Sequence, residues 1–363
     1  MQLCTVSLHT SVKTLTPPKR KNEPVQGATE PQRELLKSAG PTPSKGLVTI
    51  GTATLLLFVV SALLDSASVS STSLSGMLPI ASVLAIAGLG QMLVVQQGGI
   101  DLSVAGALSL AVVTITHVPD GNDGKLLPAI LLAISFAVVA GVVNGVLIGF
   151  LGLNAIIATL GMNALLYGVN LHVSGGRPRI TTHLMARIGG DSTWGIPHAV
   201  FFALGALLVV SVLVKLTVPG RRFEANGANP RASRAVGIKS RTYRGLAYLW
   251  AQLLYCLGGI LIGGITAQPI SFVGDQFLLP SIAVVVLGGT SLLGGRGFPL
   301  ATVIAAVFLE QLVTLVNVLG FSAAISPLVQ AAALAIGISL YTVNWKAVVH
   351  VLTRRPAVST SPG

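Results

Sequence analysis

Charge is the scarcest component of this sequence. Only 9% of its 363 residues are Asp, Glu, Lys or Arg, where a soluble domain carries roughly 25%. A soluble chain of this length would bury a large core and still need a polar surface. With 52% hydrophobic residues and a mean hydropathy of +0.80, this one has lipid as its solvent for most of its length. Cysteine is nearly missing. Cys4 lies in a polar stretch and Cys256 in an apolar run, so neither a disulfide framework nor zinc-ligand spacing follows. No paired His or Cys cluster points to a metal or to a membrane enzyme, and we expect no metal site and no catalytic residues. The phosphate-loop order GxxxxGKS or GxxxxGKT occurs nowhere in the chain, so a nucleotide site of its own is not expected. The net charge of +12 raises nucleic acid as a partner. The basic residues sit in the tails and one loop without interleaved aromatics, which argues against it.

What the sequence has is apolar runs of membrane length. A bilayer needs about 20 apolar residues per helix. Ten candidates occur, at roughly 47–65, 77–97, 102–118, 126–151, 153–173, 198–218, 246–266, 278–294, 298–318 and 324–344. The expected fold class is therefore all-α and polytopic, with about ten transmembrane helices. Gly141, Gly145 and Gly149 repeat at the four-residue spacing that lets two helices approach closely. Residues 1–45 hold six prolines (Pro17, Pro18, Pro24, Pro31, Pro41, Pro43), seven Lys or Arg and no apolar stretch. They read as a disordered basic tail ahead of a permease-sized domain at 46–345 and a short C-terminal tail at 346–363.

Cytoplasmic loops collect Lys and Arg. The N-terminal tail is basic, and so are the segment 215–244 and the C-terminal tail with Lys346, Arg354 and Arg355. Ten spans with the N-terminus inside put all three on the cytoplasmic side, with both termini cytoplasmic. The segment 174–197 then becomes the longest external one, despite Arg177, Arg179 and Arg187. It is the expected docking place for an external partner.

Within the basic segment, RRFEANGANPRASRAVGIKSRTYR (221–244) has local order. Asn229 followed by Pro230 is a helix start, because Asn accepts from the first turn and Pro suits its first position. Gly237 is a stop. Between them lie about two turns, with Arg231 and Arg234 on one side and Ala232, Ala235 and Val236 forming a small apolar face. Two readings of such a helix stand: a knob for another protein's groove, or an amphipathic turn lying on anionic headgroups.

Two ionisable residues stand inside apolar runs. In GGIDLS, Gly98 and Gly99 break a helix, and Asp101 is placed to cap the next one ahead of Ser103. Substrate contact and ion coupling are the other roles open to this carboxylate, since an unpartnered one at mid-bilayer costs about 3 kcal/mol. Glu310 lies within the ninth run, lining a path or pairing with Asn144 or Asn163. Gln91, Asn144, Asn163 and Asn170 are polar candidates for that path, with interhelical hydrogen bonding as the alternative. The glycine-rich GGTSLLGGRG (288–297) reads as a tight turn between helices, with Arg296 at the cytoplasmic boundary.

Ala225, Gly227, Asn229, Pro230, Ala232, Arg234, Gly237 and Ile238, in the pattern AxGxNPxAxRxxGI, resemble the cytoplasmic coupling segment of bacterial ATP-binding-cassette sugar importer permeases of the ribose and xylose branch. GGIDLSVAGALSL (98–110), IATLGM (157–162) and LPSIAVVVLGGTSLLGGRG (279–297) resemble the same family in the same order, and the likeness covers about 47–345. The sequence departs from the family's pattern at Leu278 and Pro280, where many members carry an acidic residue, and at Ala301 in place of Gly. The resemblance implies a monosaccharide importer of the bacterial inner membrane working by alternating access. It implies a partner ATPase carrying the ATP and Mg, an extracytoplasmic sugar-binding protein and a second permease subunit, expected to be a copy of this chain. It places ATPase coupling at Glu224, Gly227, Asn229, Pro230, Arg231, Ala232, Arg234, Val236 and Gly237. An ion-coupled secondary transporter is the rival from another class. Nucleosides, amino acids and a furanosyl autoinducer are the rival cargoes within the family.

Overall fold

The computed structural model describes residues 45–322 and 324–342. The tails read at 1–45 and 346–363 lie outside the described residues, apart from Lys45. A helix stands at each of the ten apolar runs: α1 (Lys45–Leu64), α2 (Ser71–Gln96), α3 (Val104–His117), α4 (Leu126–Asn144), α5 (Ala155–Ser174), then, after an external helix α6 (His183–Gly190) and a two-stranded hairpin, α7 (His198–Ser211). After two short helices, α8 (Val218–Ala228) and α9 (Pro230–Ala235), come α10 (Ser240–Ile265), α11 (Leu278–Leu287), α12 (Pro299–Val318) and α13 (Ile325–Thr342). Among the described residues, seven segments are long and apolar enough to cross a membrane, and 104–117 and 273–287 are shorter apolar helices.

Length explains the two short ones. The 14 residues of α3 rise about 21 Å, against a hydrocarbon core about 30 Å thick. They are too short to cross that core alone, and they start a few residues after α2 has stopped at Gln96. The run expected at 278–294 is likewise helical only to Leu287. It is preceded by a 3-10 turn at Val273–Phe277 and followed by the glycine turn that leads to α12.

α2 is the centre. From Ala81 to Gln96 every side chain is buried, as a helix apolar on all sides requires. It packs against α7, α10, α11 and α12, while α1 lies outside against α12 and α5 outside against α3. The α4 glycine stripe packs on α10: a β-carbon at Gly145 would stand 2.8 Å from the carbonyl oxygen of Gly245, and one at Gly149 2.7 Å from that of Arg241. Both α4 and α7 end in π-helical turns, at Gly145–Phe150 and Val212–Leu216. The segment 174–197 is ordered by a hairpin pairing Ser192 with Pro197 and by an Arg179–Asp120 ion pair of 2.6 Å.

Candidate coupling junction and buried polar cluster

The basic loop folds as a helix pair. Thr217 caps α8 through the Gly220 N–H. Asn229 Oδ1 accepts from the N–H groups of Arg231 (3.1 Å) and Ala232 (3.0 Å) and so caps α9. Pro230 takes the first helical position. Gly237 ends the helix at φ +82, and the Ile238 N–H donates to the Ser233 carbonyl at 2.9 Å. Ser233 is the buried side of α9. Arg231, Ala232, Arg234 and Val236 are exposed, Val236 by 75%. The outward face is thus a small apolar spot with a basic rim. Glu224 and Gly227 are not part of it. Glu224 pairs with Lys215 at the π-helical end of α7, and the Lys215 ammonium lies 5.6 Å from the Phe298 ring centroid. Gly227 is buried. Both anchor the helix pair to the bundle, because α8 must meet the membrane domain before α9 can project from it.

The anchor is specific. Gln97 Nε2 donates to the Phe223 carbonyl at 2.9 Å, and Asn226 Nδ2 donates to Gln97 Oε1 at 2.7 Å. The last carbonyls of a helix lack intrahelical partners. That of Gln96 accepts from the Gly295 N–H at 3.0 Å, while Gly227 lies directly against it. The broken end of α2, the short helix α8 and the turn 288–297 therefore meet at one point. Arg296 stays exposed beside it.

A few residues further, the chain reaches Asp101. Gly98 turns with φ +74, and α3 opens at Val104 with Ser103 in the cap position. Asp101 is therefore not the helix cap expected from GGIDLS, because the helix begins two residues too late for its carboxylate to reach the N2 or N3 N–H. Oδ1 instead accepts from the Ser103 N–H (2.9 Å) and hydroxyl (2.5 Å), and Gln252 Nε2 stands 3.4 Å from Oδ2. Ser103 Oγ also accepts from Gln252 Nε2 at 2.6 Å and from Asn144 Nδ2 at 3.2 Å. Gln91 lies 2.8 Å from the Tyr255 hydroxyl. Turned so that both its ends are satisfied, its amide donates to the Asp101 carbonyl (3.1 Å) and accepts from the Asp101 N–H (3.2 Å). Asp101, Ser103, Asn144, Gln91 and Gln252 are all fully buried. Their donors offset the cost of a buried carboxylate, and together they tie α2, α3, α4 and α10.

The expected path residues separate accordingly. Gln91 and Asn144 belong to this cluster. Asn163 Oδ1 accepts from the Gly106 N–H at 2.8 Å, and Asn170 Nδ2 donates to the Ser271 carbonyl at 2.5 Å. All four make interhelical or helix-to-loop hydrogen bonds. Glu310 pairs with neither Asn144 nor Asn163. It faces a cavity of about 550 Å³ between α11, α12 and α13, shared with Asp275, Gln276, Ser326 and Gln330. Sequence reading misses Gln97, Asn226, Gln252 and Tyr255. A Gln-Gln pair just before two glycines, and Tyr248, Gln252 and Tyr255 spaced on one face of α10, are the signals for them.

Residues 73–338 match the family described as branched-chain amino acid transport system / permease component. A probable ABC transporter permease protein of Sinorhizobium fredii is 33% identical over 66% of this chain and 72% of its own length. An autoinducer 2 import system permease protein of Salmonella typhimurium is 32% identical over 70% of this chain and 74% of its own. A ribose import permease protein of Escherichia coli is 34% identical over 69% of this chain and 79% of its own. No solved structure matches the chain.

Proposed function

This chain belongs to the branched-chain amino acid transport system / permease component family, and from that premise we propose that it forms the translocation path of an ATP-driven importer for a monosaccharide. It is a transport component and a multi-pass protein of the bacterial inner membrane. The proposal adds its energy source, partners and cargo. The observation that carries it is the α9 knob: an exposed small-residue face on a capped helix whose base is bolted, through Asn226 and Gln97, to the broken end of α2. A helix fixed in this way transmits displacement, whereas a loose loop resting on headgroups does not.

In this reading α9 seats on a cytoplasmic ATPase that holds ATP and Mg, with both termini of the chain on the same side. An extracytoplasmic binding protein delivers cargo to the opposite face, and a second copy of the chain completes the path. The cargo is a small, hydroxyl-rich ring. Support comes from the relatives named for ribose and autoinducer 2 and from the Glu310 cavity, where carboxylates and amides offer acceptors and donors.

The test is uptake into vesicles containing this chain, the ATPase and the binding protein. Uptake should depend on ATP and persist when the proton and sodium gradients are collapsed at constant ATP. Uptake that follows an ion gradient at constant ATP would make the chain a secondary transporter and end this reading.

A further inference from the structure

The cavity of about 550 Å³ that Glu310 faces has charge of one sign only. Its polar lining is Asp275 and Gln276 ahead of α11, Glu310 on α12, and Ser326 and Gln330 on α13; among the described residues no Lys, Arg or His lines it. The Glu310 carboxylate is largely buried. Among the described residues its hydrogen bonding is confined to the backbone, where the Thr314 hydroxyl donates to its carbonyl at 2.8 Å. The ion pairs among those residues are Arg179–Asp120 and Lys215–Glu224, so neither Glu310 nor Asp275 is neutralised by one. Asp275 is held in place by the 3-10 turn Val273–Phe277. The Gly274 N–H donates to Ser109 Oγ at 2.9 Å, and a β-carbon on Gly274 would stand 2.0 Å from the Ala105 carbonyl oxygen, so the turn lies directly on α3. The Tyr167 hydroxyl of α5 donates to Asp275 Oδ1, which leaves Oδ2 for the cavity.

We propose that this cavity is a charge filter: it admits neutral or cationic hydroxyl-bearing molecules and turns away those that carry a carboxylate or a phosphate. The inference rests on the reading of the cavity as part of the cargo path. Fixed carboxylates in a cleft with apolar walls focus their field into it, and an entering anion finds no cation in the lining to offset the repulsion. The N-termini of α11 and α13 also open here. Each carries about half a positive charge against a full charge on each carboxylate, so the field keeps its negative sign. A hydroxyl group donates to a carboxylate oxygen and accepts from the Gln276 or Gln330 amide, so a polyol satisfies the lining without bringing charge. Among the cargoes the family offers, an amino acid brings a carboxylate that nothing here pairs with, and a sugar brings none.

Thiol modification reads that field directly. The chain has two cysteines, and the Cys4→Ser, Cys256→Ala, Ser326→Cys variant of the full chain leaves one thiol, in the cavity lining. It is placed in phosphatidylcholine nanodiscs, open to reagent from both faces, at mildly alkaline pH. Methanethiosulfonates bearing a trimethylammonium, a hydroxyethyl or a sulfonate group are added, and each rate is divided by that reagent's rate with 2-mercaptoethanol. The cationic reagent should then react about tenfold or more faster than the anionic one, with the neutral reagent between them. High salt should narrow the ratio. Asp275→Asn or Glu310→Gln alone should reduce it, and the two together should bring it close to one. Equal rates in the parent, a faster anionic reagent, or a preference that survives loss of both carboxylates would overturn the filter. So would no reaction with any reagent, which would mean that water does not enter the cavity. If the double substitution does not insert, the single substitutions and the salt dependence decide. The assay needs neither ATPase nor binding protein, so the two readings fail separately. ATP-dependent uptake with equal thiol rates keeps the importer and removes the filter; gradient-driven uptake with a tenfold ratio does the reverse.

Discussion

The backbone of Gly227 lies so close to Gln96 that a β-carbon on residue 227 would stand 2.1 Å from the Gln96 carbonyl oxygen. This contact joins α8, the helix proposed to take part in coupling, to the end of the central helix α2, at the place where α2 breaks toward Asp101. No side chain separates the two backbones, and the proposed coupling has motion of one passed to the other across this contact.

Gly227→Ala should therefore leave the permease inserted but uncoupled. Overpacking of this kind costs about 1–3 kcal/mol, which in a coupling equilibrium is about 5- to 150-fold. Uptake normalised to the amount of protein in the membrane should fall by at least the lower figure. Normal uptake by Gly227→Ala would show that α8 and α2 move independently.

On the outer side of the same element, Ala232→Trp should prevent the permease from retaining or stimulating the ATPase. Ala232 and Val236 lie four apart on the exposed face, where a small groove would not admit an indole. Gly237→Val should act the same way more weakly, because φ +82 disfavours a β-branched residue. Arg231→Ala should matter less, since an exposed rim charge is worth about 1 kcal/mol or less. Co-purification of the ATPase, and ATP hydrolysis with and without loaded binding protein, measure all three. Full coupling in Ala232→Trp would leave α9 a helix lying on headgroups.

Asp101→Asn should keep most expression and transport. Its amide oxygen can still accept from Ser103, and Gln252, whose Oε1 lacks a partner, can turn to accept from the new amide. Asp101→Leu should not be tolerated, since it strands the buried Ser103 N–H and hydroxyl donors at about 1–3 kcal/mol for each unsatisfied group. Thermal unfolding in detergent and uptake together decide. Loss of transport in Asp101→Asn with normal stability would mean that the charge itself is needed.

Glu310→Gln and Glu310→Trp separate two roles of the α11–α13 cavity. If cargo passes it, the bulky Trp should block uptake at normal expression, while Gln, which keeps hydrogen-bonding capacity, should mainly raise the KM. Unchanged uptake in Glu310→Trp would remove this cavity from the path.

At the tip of the external hairpin, Trp194 is 92% exposed and held at φ +54, a strained conformation for its ring. Trp194→Ala should preserve basal ATP hydrolysis and weaken its stimulation by the binding protein. Equal stimulation in the variant would place the external docking surface elsewhere.

Much of this protein was legible in one dimension because lipid simplifies the code. Each span must be apolar and helical over a set length, so the ten runs, and even the Asn229–Gly237 helix with its cap and stop, could be read from residue type and spacing. Local rules governed those features. The assignment of Asp101 as a cap failed because two residues of register decide which N–H a carboxylate reaches, and spacing alone does not resolve that. The polar residues read as a path or as interhelical ties kept both roles for a related reason: an intramembrane Asn or Gln is equally fit to line a channel or to tie helices together.

By itself, then, the sequence determined the solvent, the helical class, the positions of the spans and the existence of a capped basic knob, all of which depend on neighbours within a few residues. Only the tertiary structure decided that Gln97 meets Asn226 across 129 positions of chain and that Gln252 meets Ser103 across 149. It also decided that Glu224 turns inward while Val236 turns out. Those pairings depend on which helices pack together. In a chain whose helices are apolar on nearly every side, no stripe in the sequence specifies that choice; close packing around α2 does.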